Sequence, residues 1–305
     1  MNWKPLSALL AAVIGMVLTA AACGSSPSTS STTPKGSITV AGFKFSEGSV
    51  LAELYGQALQ HDGYTVTFKL NLGSREVVAP AIKSNQVDLY IGYAATDLEF
   101  YNSSAGEASG DVTATTSKLN SHLQPLNLVA LNPSSAVDQN AFAMTKANST
   151  KYNATKLSDL AAIGGQLVLG AGPECPTRPF CQPGLQKTYG INFKSFKALD
   201  TDGPLTRAAL KNNDIQVGLV FSSDADLSSL GLVTLQDDKH LENADNVVPI
   251  VRTPIATAEV KKVLNAVSAG LTTADLVNLN SQVELQHMDP DTVTKAYLQQ
   301  HNYFS

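Results

Sequence analysis

The sequence predicts an α/β fold of two similar lobes facing each other across a ligand cleft. Three observations carry this expectation. Strand-like and helix-like segments alternate; the alternation restarts later in the chain; and AIKSNQVDLYIGY (Ala81–Tyr93) aligns without a gap to ALKNNDIQVGLVF (Ala209–Phe221). Alternation of this kind implies a mostly parallel sheet covered by helices. The gap-free echo of a helix–turn–strand unit implies that the unit is used twice.

The first lobe opens with a strand at Ile38–Val40. Over Ser46–His61, Val50, Leu51, Leu54, Tyr55, Ala58 and Leu59 recur at helical spacing, with Glu47 in the first turn and Gly63 as the stop. A strand at Tyr64–Leu70, a helix at Glu76–Ser84 and a strand at Val87–Tyr93 follow. In the second lobe Leu157–Ala162 reads as helix and Leu167–Leu169 as strand. Pro183–Tyr189 is a helix opened by proline and closed by Gly190. Phe193–Ala198 is a strand, Leu205–Asn212 a helix and Gln216–Phe221 a strand. From Thr257 to Gln299 the pattern is helical, with caps at Thr257 and Thr272 and no strand after it. A shorter echo, LVAL (Leu128–Leu131) and LVTL (Leu232–Leu235), marks the strands by which the chain passes between lobes. One lobe is therefore expected at 37–136 plus 237–305, and the other at 137–236.

The amino-terminal residues point outside the cytoplasm. Lys4 precedes an apolar run, Leu6–Leu18, and the small residues Thr19–Ala22. This run falls short of the roughly 18 residues that span a bilayer, so residues 1–22 read as a secretory signal. Cys23 comes next, in a setting that resembles a bacterial lipobox, with Leu18 upstream and Ala20 three before the cysteine. That resemblance implies cleavage before Cys23, a lipid on its thiol and attachment to the cell membrane. Residues 23–36 hold GSSPSTSSTTP, a tether too polar to form a core. Without residues 1–22 the chain has 20 Lys+Arg against 26 Asp+Glu, a net charge of −6. An acidic surface with no basic run argues against nucleic acid or anionic lipid as a partner.

Cys175 and Cys181 are the two thiols left, both in the loop PECPTRPFCQPGL. In an exported chain a disulfide is expected. A metal site or a reactive thiol is the alternative, although the nearest histidine in sequence is His240 and a C-x-x-C spacing is absent.

In open α/β sheets ligands sit beyond the carboxyl ends of the strands. Tyr93 and Phe221 end equivalent strands, so each wall of the cleft is expected to offer an aromatic. An exported, two-lobed protein that closes on a ligand suits the solute-binding component of an importer. The chain lacks G-x-S-x-G, H-E-x-x-H and clustered Cys/His, and its Gly170–Gly172 pair is only half a dinucleotide fingerprint. Neither catalysis, nor a cofactor, nor a metal ion is expected.

At family level, LNLGSREVVAPAIKSNQVDLYIGYAATDL (Leu70–Leu98) resembles the glycine betaine/choline/osmoprotectant substrate-binding proteins of ABC importers, and their actinobacterial branch in particular. The match runs on through DQNAFAMTK (Asp138–Lys146), GPECPTRPFCQPGLQKTYG, GPLTRAALKNNDIQVGLVFSSD and DDKHLENADNVVPIVR. The resemblance implies a type II periplasmic-binding-protein fold, a cleft ligand carrying a quaternary ammonium, a monomer, and a permease and its ATPase subunit as partners. It also implies roles. Tyr93 and Phe221 match box aromatics, Thr96 a threonine serving a ligand carboxylate, and Arg178, four after Glu174, an arginine reaching that carboxylate. Ser222 lies in the Ser-Ser-Asp that follows Phe221. Departures fall at Phe43, with Lys44 next to it, where the family often has lysine; at Asn140, preceded by Gln139, in place of an aromatic; and at Arg207 in place of a tyrosine. Phe180 and Gln182 replace an aspartate and a tyrosine. A box short of aromatics, with an extra arginine, favours a zwitterion, or a neutral polyhydroxylated or anionic solute, over choline. The expected function is capture of a compatible solute for import; a sensor lipoprotein on the same fold is the alternative.

Overall fold

A computed structural model describes residues 35–224 and 226–303. The signal, Cys23 and most of the tether lie outside the described residues. The chain runs β1 (Ser37–Phe43), α1 (Ser46–His61), β2 (Thr65–Gly73), α2 (Arg75–Lys83), β3 (Leu89–Tyr93), α3 (Ala94–Tyr101), α4 (Val112–Leu123) and β4 (Leu128–Ala130). It continues with β5 (Asn140–Thr145), α5 (Lys146–Tyr152), β6 (Val168–Ala171), α6 (Gln182–Tyr189), β7 (Ser195–Ala198), α7 (Pro204–Lys211), β8 (Val217–Phe221) and β9 (Leu232–Leu235). Last come β10 (Val247–Arg252), α8 (Ala258–Gly270), α9 (Thr273–Glu284) and α10 (Pro290–Gln300).

These strands form two sheets of one plan, in the orders β2-β1-β3-β10-β4 and β7-β6-β8-β5-β9. In each five-stranded sheet four strands run in one direction, and the strand fourth in the order is antiparallel to both of its neighbours. The antiparallel strand, β5 or β10, is in each case the first element after the chain crosses from the other sheet. The two crossings touch at an antiparallel bridge between Val137 and Asn246. This is the two-lobed α/β architecture that the alternation and the echo predict.

Each sheet is stabilised by its own apolar core. On α1 the residues at helical spacing face inward, and Leu51, Leu54, Tyr55 and Leu59 are fully buried. Burying side chains of this size stabilises by about 1.5–3 kcal/mol each. Phe142, Met144, Leu169, Leu185 and Val217 fill the second core. The predicted caps are present: Thr257 Oγ1 accepts from Val260 N, and Thr272 forms a capping box with Asp275.

The echo extends to backbone detail. Asn85 and Asn213, at matching positions, both adopt the left-handed conformation, with φ of 63° and 60°. In both units the next residue donates back to the matching alanine: Gln86 N to Ala81 O and Asp214 N to Ala209 O, each at 2.9 Å. Asparagine is one of the few residues other than glycine that enters this region readily.

The structure departs from the expected elements in a few places. Leu157–Ala162 forms only a short 3-10 turn, Leu157–Leu160. The strands β5 and β10 were not expected. β5 reads NAFAMT, with no β-branched alternation, and β10 contains Pro249, which ordinarily argues against a central strand. Pro249 is accommodated because it lies opposite Leu131, one residue past the end of β4. It accepts from Leu131 N, and the N–H it lacks falls where that ladder stops.

A β-branched residue at either asparagine should be strained. Asn85→Val and Asn213→Val are each expected to lower stability by about 1–2 kcal/mol, whereas the glycine variants should change it far less. Urea denaturation tests this, and equal stability of the valine and glycine variants would contradict it.

Candidate functional site

The first wall is organised by Asp97, in the first turn of α3. Its Oδ1 accepts from Arg75 Nε at 2.6 Å and from Tyr90 Oη at 2.9 Å, and its Oδ2 accepts from Tyr93 N at 2.9 Å. Gly92 leaves room for this carboxylate, since a Cβ there would stand 2.0 Å from Asp97 Oδ2. Burial works against the Arg75 charge, but Asp97 outweighs it and holds the guanidinium's pKa above its ordinary value. Arg75 lies 5.2 Å from the centre of the Phe43 ring, which stacks on Phe45 and meets Tyr90 edge-on. The ends of β1 and β3 and the start of α2 are thus tied into one surface.

The second wall is built at the ends of β6 and β8. Gly172 follows β6, and a Cβ on it would lie 2.3 Å from Thr201 Oγ1 and 2.4 Å from Glu174 Oε1. Beyond it Cys175 and Cys181 are joined in the expected disulfide, closing the loop that carries Arg178. Asp200 accepts from the backbone N–H groups of Leu205 and Thr206 at the start of α7.

Between the walls lies a cavity of about 420 Å³. Six of the expected residues line it: Phe43, Tyr93, Thr96, Asn140, Arg178 and Phe221. A second cavity of about 240 Å³ adjoins it and shares Arg75, Thr96, Asn140 and Arg178. Three expected residues are not brought to the main cavity. Gln139 and Ser222 brace the crossing instead: Gln139 N donates to Ser222 Oγ, and Gln139 Nε2 donates to Asn243 O. Arg207 is drawn away by carboxylates, with Asp226 at 2.8 Å, Asp224 at 3.0 Å, Glu284 at 3.2 Å and Asp202 at 3.5 Å. The extra arginine expected in the box therefore serves a contact between α7 and α9.

The lobes meet across the cleft through named pairs. Arg178 Nη2 donates to both carboxylate oxygens of Glu76, at 3.0 and 2.9 Å, and Nε adds a bond of 3.2 Å. Phe45 and Phe221 touch with ring centres 5.2 Å apart. Glu47, buried at the start of α1, accepts from Tyr93 Oη at 2.5 Å, Ser223 Oγ at 2.7 Å and Asn280 Nδ2 at 2.6 Å. The Tyr93 hydroxyl is thereby committed, and what remains for a ligand is the ring.

Several contributors were not picked out from sequence. Phe45 had a signal, since in FKF it shares a side of the extended chain with Phe43. Glu47 reads in sequence as an ordinary first-turn charge. Glu76, Asp138 and Asp245 gave no local sign, because their partners lie far along the chain.

The carboxyls divide into two groups. Glu76 is partly buried, which raises its pKa, but Arg178 overrides that and holds it down at about 2. Burial pushes Asp245 up to about 6 despite its two bonds from Thr96, and it raises Asp138 and Glu242 well above the usual range. Asp224 is also pushed up to about 6 by burial, against the pull of Arg207.

Residues 36–300 match the family described as the substrate-binding domain of ABC-type glycine betaine transport systems. The chain belongs to this family. Its members are transport substrate-binding proteins. Among curated relatives, the glycine betaine-binding protein YehZ of Escherichia coli K12 is 26% identical over 267 residues, covering 83% of this chain and 87% of that one. The carnitine transport binding protein OpuCC of Listeria monocytogenes is 24% identical over 281 residues, covering 88% of each chain. In fold, a glycine betaine/carnitine/choline ABC transporter structure aligns over 88% of this chain and all of that chain, with a TM-score of 0.67 at 22% identity. A choline-binding protein in complex with choline aligns over 87% of this chain and 89% of that chain, with a TM-score of 0.62 at 14% identity. These solved structures share the two-lobed fold seen here.

The raised carboxyls make stability depend on pH in a definite direction. A carboxyl whose folded pKa exceeds its unfolded value takes up a proton on folding; the stability this contributes is full at low pH and is lost as pH rises through about 6. The melting temperature should fall by several degrees between pH 5 and pH 8, and Asp245→Asn should flatten part of that slope. The Glu76–Arg178 pair, with Glu76 ionised throughout, contributes nothing to it. A melting temperature that rises over the window would contradict this assignment.

Proposed function

We propose that the protein is the extracytoplasmic substrate-binding lipoprotein of an ABC importer. It captures a compatible solute bearing a quaternary ammonium, of the glycine betaine, proline betaine or choline kind, between its lobes and delivers it to the permease. The observation that carries this is the composition of the cavity: the aromatic rings of Phe43, Phe45, Tyr93 and Phe221 together with the acidic side chains of Glu174 and Asp200 and the buried carboxyls of Asp138 and Asp245.

A quaternary ammonium has no N–H to donate, so hydrogen bonds cannot select it. Aromatic faces attract it instead, each contributing about 0.5–2 kcal/mol according to desolvation. Carboxylates nearby add charge attraction, strengthened where water is excluded. The same lining disfavours an anionic solute. The disulfide supports the function by ordering the Arg178 loop before a ligand arrives, which lowers the entropy lost on binding.

Delivery requires that the protein stay near its permease. No helix among the described residues is long and apolar enough to cross a membrane. The lipid on Cys23 and the tether supply attachment in this reading, and contact between the lobes, such as Phe45 on Phe221, supplies a shape for the permease to read. The solute, the permease with its ATPase, and the membrane through Cys23 are the partners. The protein is a monomer and requires no cofactor.

Two outcomes test this. In calorimetry against glycine betaine, proline betaine, choline, carnitine and neutral polyols, at least one methylammonium compound should bind, and Phe221→Ala should weaken it by about 3- to 30-fold. Heat from polyols alone, untouched by Phe221→Ala, would overturn the assignment. Cys23→Ser should move the chain from the membrane fraction to the soluble exported fraction and abolish solute uptake by cells that depend on it; unchanged fractionation would refute the anchor.

A further inference from the structure

The donors that line the main cavity share a feature that bears on which ammonium solute it takes. Arg178 is paired with Glu76 through three hydrogen bonds. Thr96 donates through both its backbone N and its Oγ1 to Asp245, at 2.7 and 2.5 Å. Arg75 is held by Asp97, Ser74 Oγ donates to Glu76, Thr201 Oγ1 donates to Glu174, and Asn140 Nδ2 donates to Phe180 O. Every one of these side-chain donors is already directed at a protein oxygen, and in five of the six residues that oxygen belongs to a carboxylate. Lys44, exposed at the mouth, is the lining cation with no ion pair among the described residues.

We infer that Glu76 and Asp245 are internal stand-ins for a solute carboxylate, and that the cavity therefore selects a quaternary-ammonium cation without a carboxylate, such as choline, over a betaine. This rests on the ammonium-solute function proposed above. A betaine carboxylate reaching Arg178 or Thr96 has to displace a protein carboxylate or share donors with it, and it enters beside Glu174, Asp200 and Asp245. Exchanging one carboxylate for another on Arg178 gains little, and leaving the buried Asp245 without its Thr96 donors is costly. A bare ammonium meets the same acidic lining with attraction and disturbs none of these pairs. The extra arginine that would have favoured a zwitterion is Arg207, which lies in its own carboxylate cluster away from the cavity. The solute's trimethylammonium head is read by rings and charge, and Glu76 sets whether its tail is tolerated.

The test is competition between matched solutes on the purified chain, using tetramethylammonium, choline, glycine betaine and carnitine. In the unaltered protein, choline is expected to bind at least tenfold more tightly than glycine betaine. Glu76→Gln keeps the shape but releases Arg178, so glycine betaine should gain about tenfold or more while choline changes by less than threefold. Asp245→Asn, which releases Thr96, should shift the ratio the same way by a smaller factor. Circular dichroism and melting of each variant confirm that it is folded, and the ratio of two affinities in one variant is insensitive to a general loss of structure. Glycine betaine binding as tightly as choline, with a ratio unmoved by Glu76→Gln, overturns the inference while leaving the ammonium-solute function standing. Binding of neither ammonium compound overturns both.

Discussion

The site depends first on one buried ion pair, Asp97 with Arg75. Side-chain exposure is 0% for Asp97 and 5% for Arg75, so neither charge would be tolerable alone. Together they close a circuit: Asp97 holds the end of β3 through Tyr93 N, Arg75 starts α2, and its guanidinium covers Phe43 at the end of β1. Two strand ends, a helix start and an aromatic are thereby tied to one another. Loss of either partner would leave a buried charge and would also free the ring that backs Phe45. The rigidity of the first wall is therefore electrostatic in origin, although apolar packing supplies most of the lobe's stability.

The second wall is restrained by covalent means. The disulfide and the prolines Pro176 and Pro179 restrict the loop that holds Arg178. The two walls then meet through Arg178–Glu76, Phe45–Phe221, Ser223–Glu47 and Arg207–Glu284. These contacts are mostly polar. Glu76 and Arg178 are 43% and 22% exposed, so the strength of their pair is moderated by solvent. The antiparallel bridge between Val137 and Asn246 keeps the two crossings together, making them the natural place for a bend.

The fold was legible because it is local and repeated. The periodicity of α1 gave both of its ends, and the AIKSNQ/ALKNND echo located two equivalent turns down to the left-handed asparagines. Legibility failed where context overrides composition. Pro249 lies in an interior strand because the ladder beside it has ended, and nothing within VVPIVR announces that. In the candidate site, sequence pointed to cavity-lining residues at strand ends, such as Tyr93 and Phe221, and to Arg178, whose loop the cysteines mark. It was not legible for pairings across the cleft. Glu76 and Arg178 are 102 positions apart, and Thr96 and Asp245 are 149 apart; no spacing rule joins them. Arg207 shows the same limit in reverse, since its four carboxylate partners come from three separate segments and take it away from the cavity.

These long-range pairs alter how an arginine or threonine at a binding site is to be understood. A donor counts toward recognition only by the free energy it still has to give, and a donor already charge-paired has little. Judged by residue type alone, Arg75, Arg178, Thr96 and Arg207 make the cleft look ready for an anion. Judged by partners, each already donates to a carboxylate, and acidic side chains line the cavity beside the aromatic rings. The burial that lifts Asp138 and Asp245 shows that these acids are held at some cost to stability. A quaternary ammonium, with no N–H to donate, interacts with rings and acids of this kind through ring faces and charge alone.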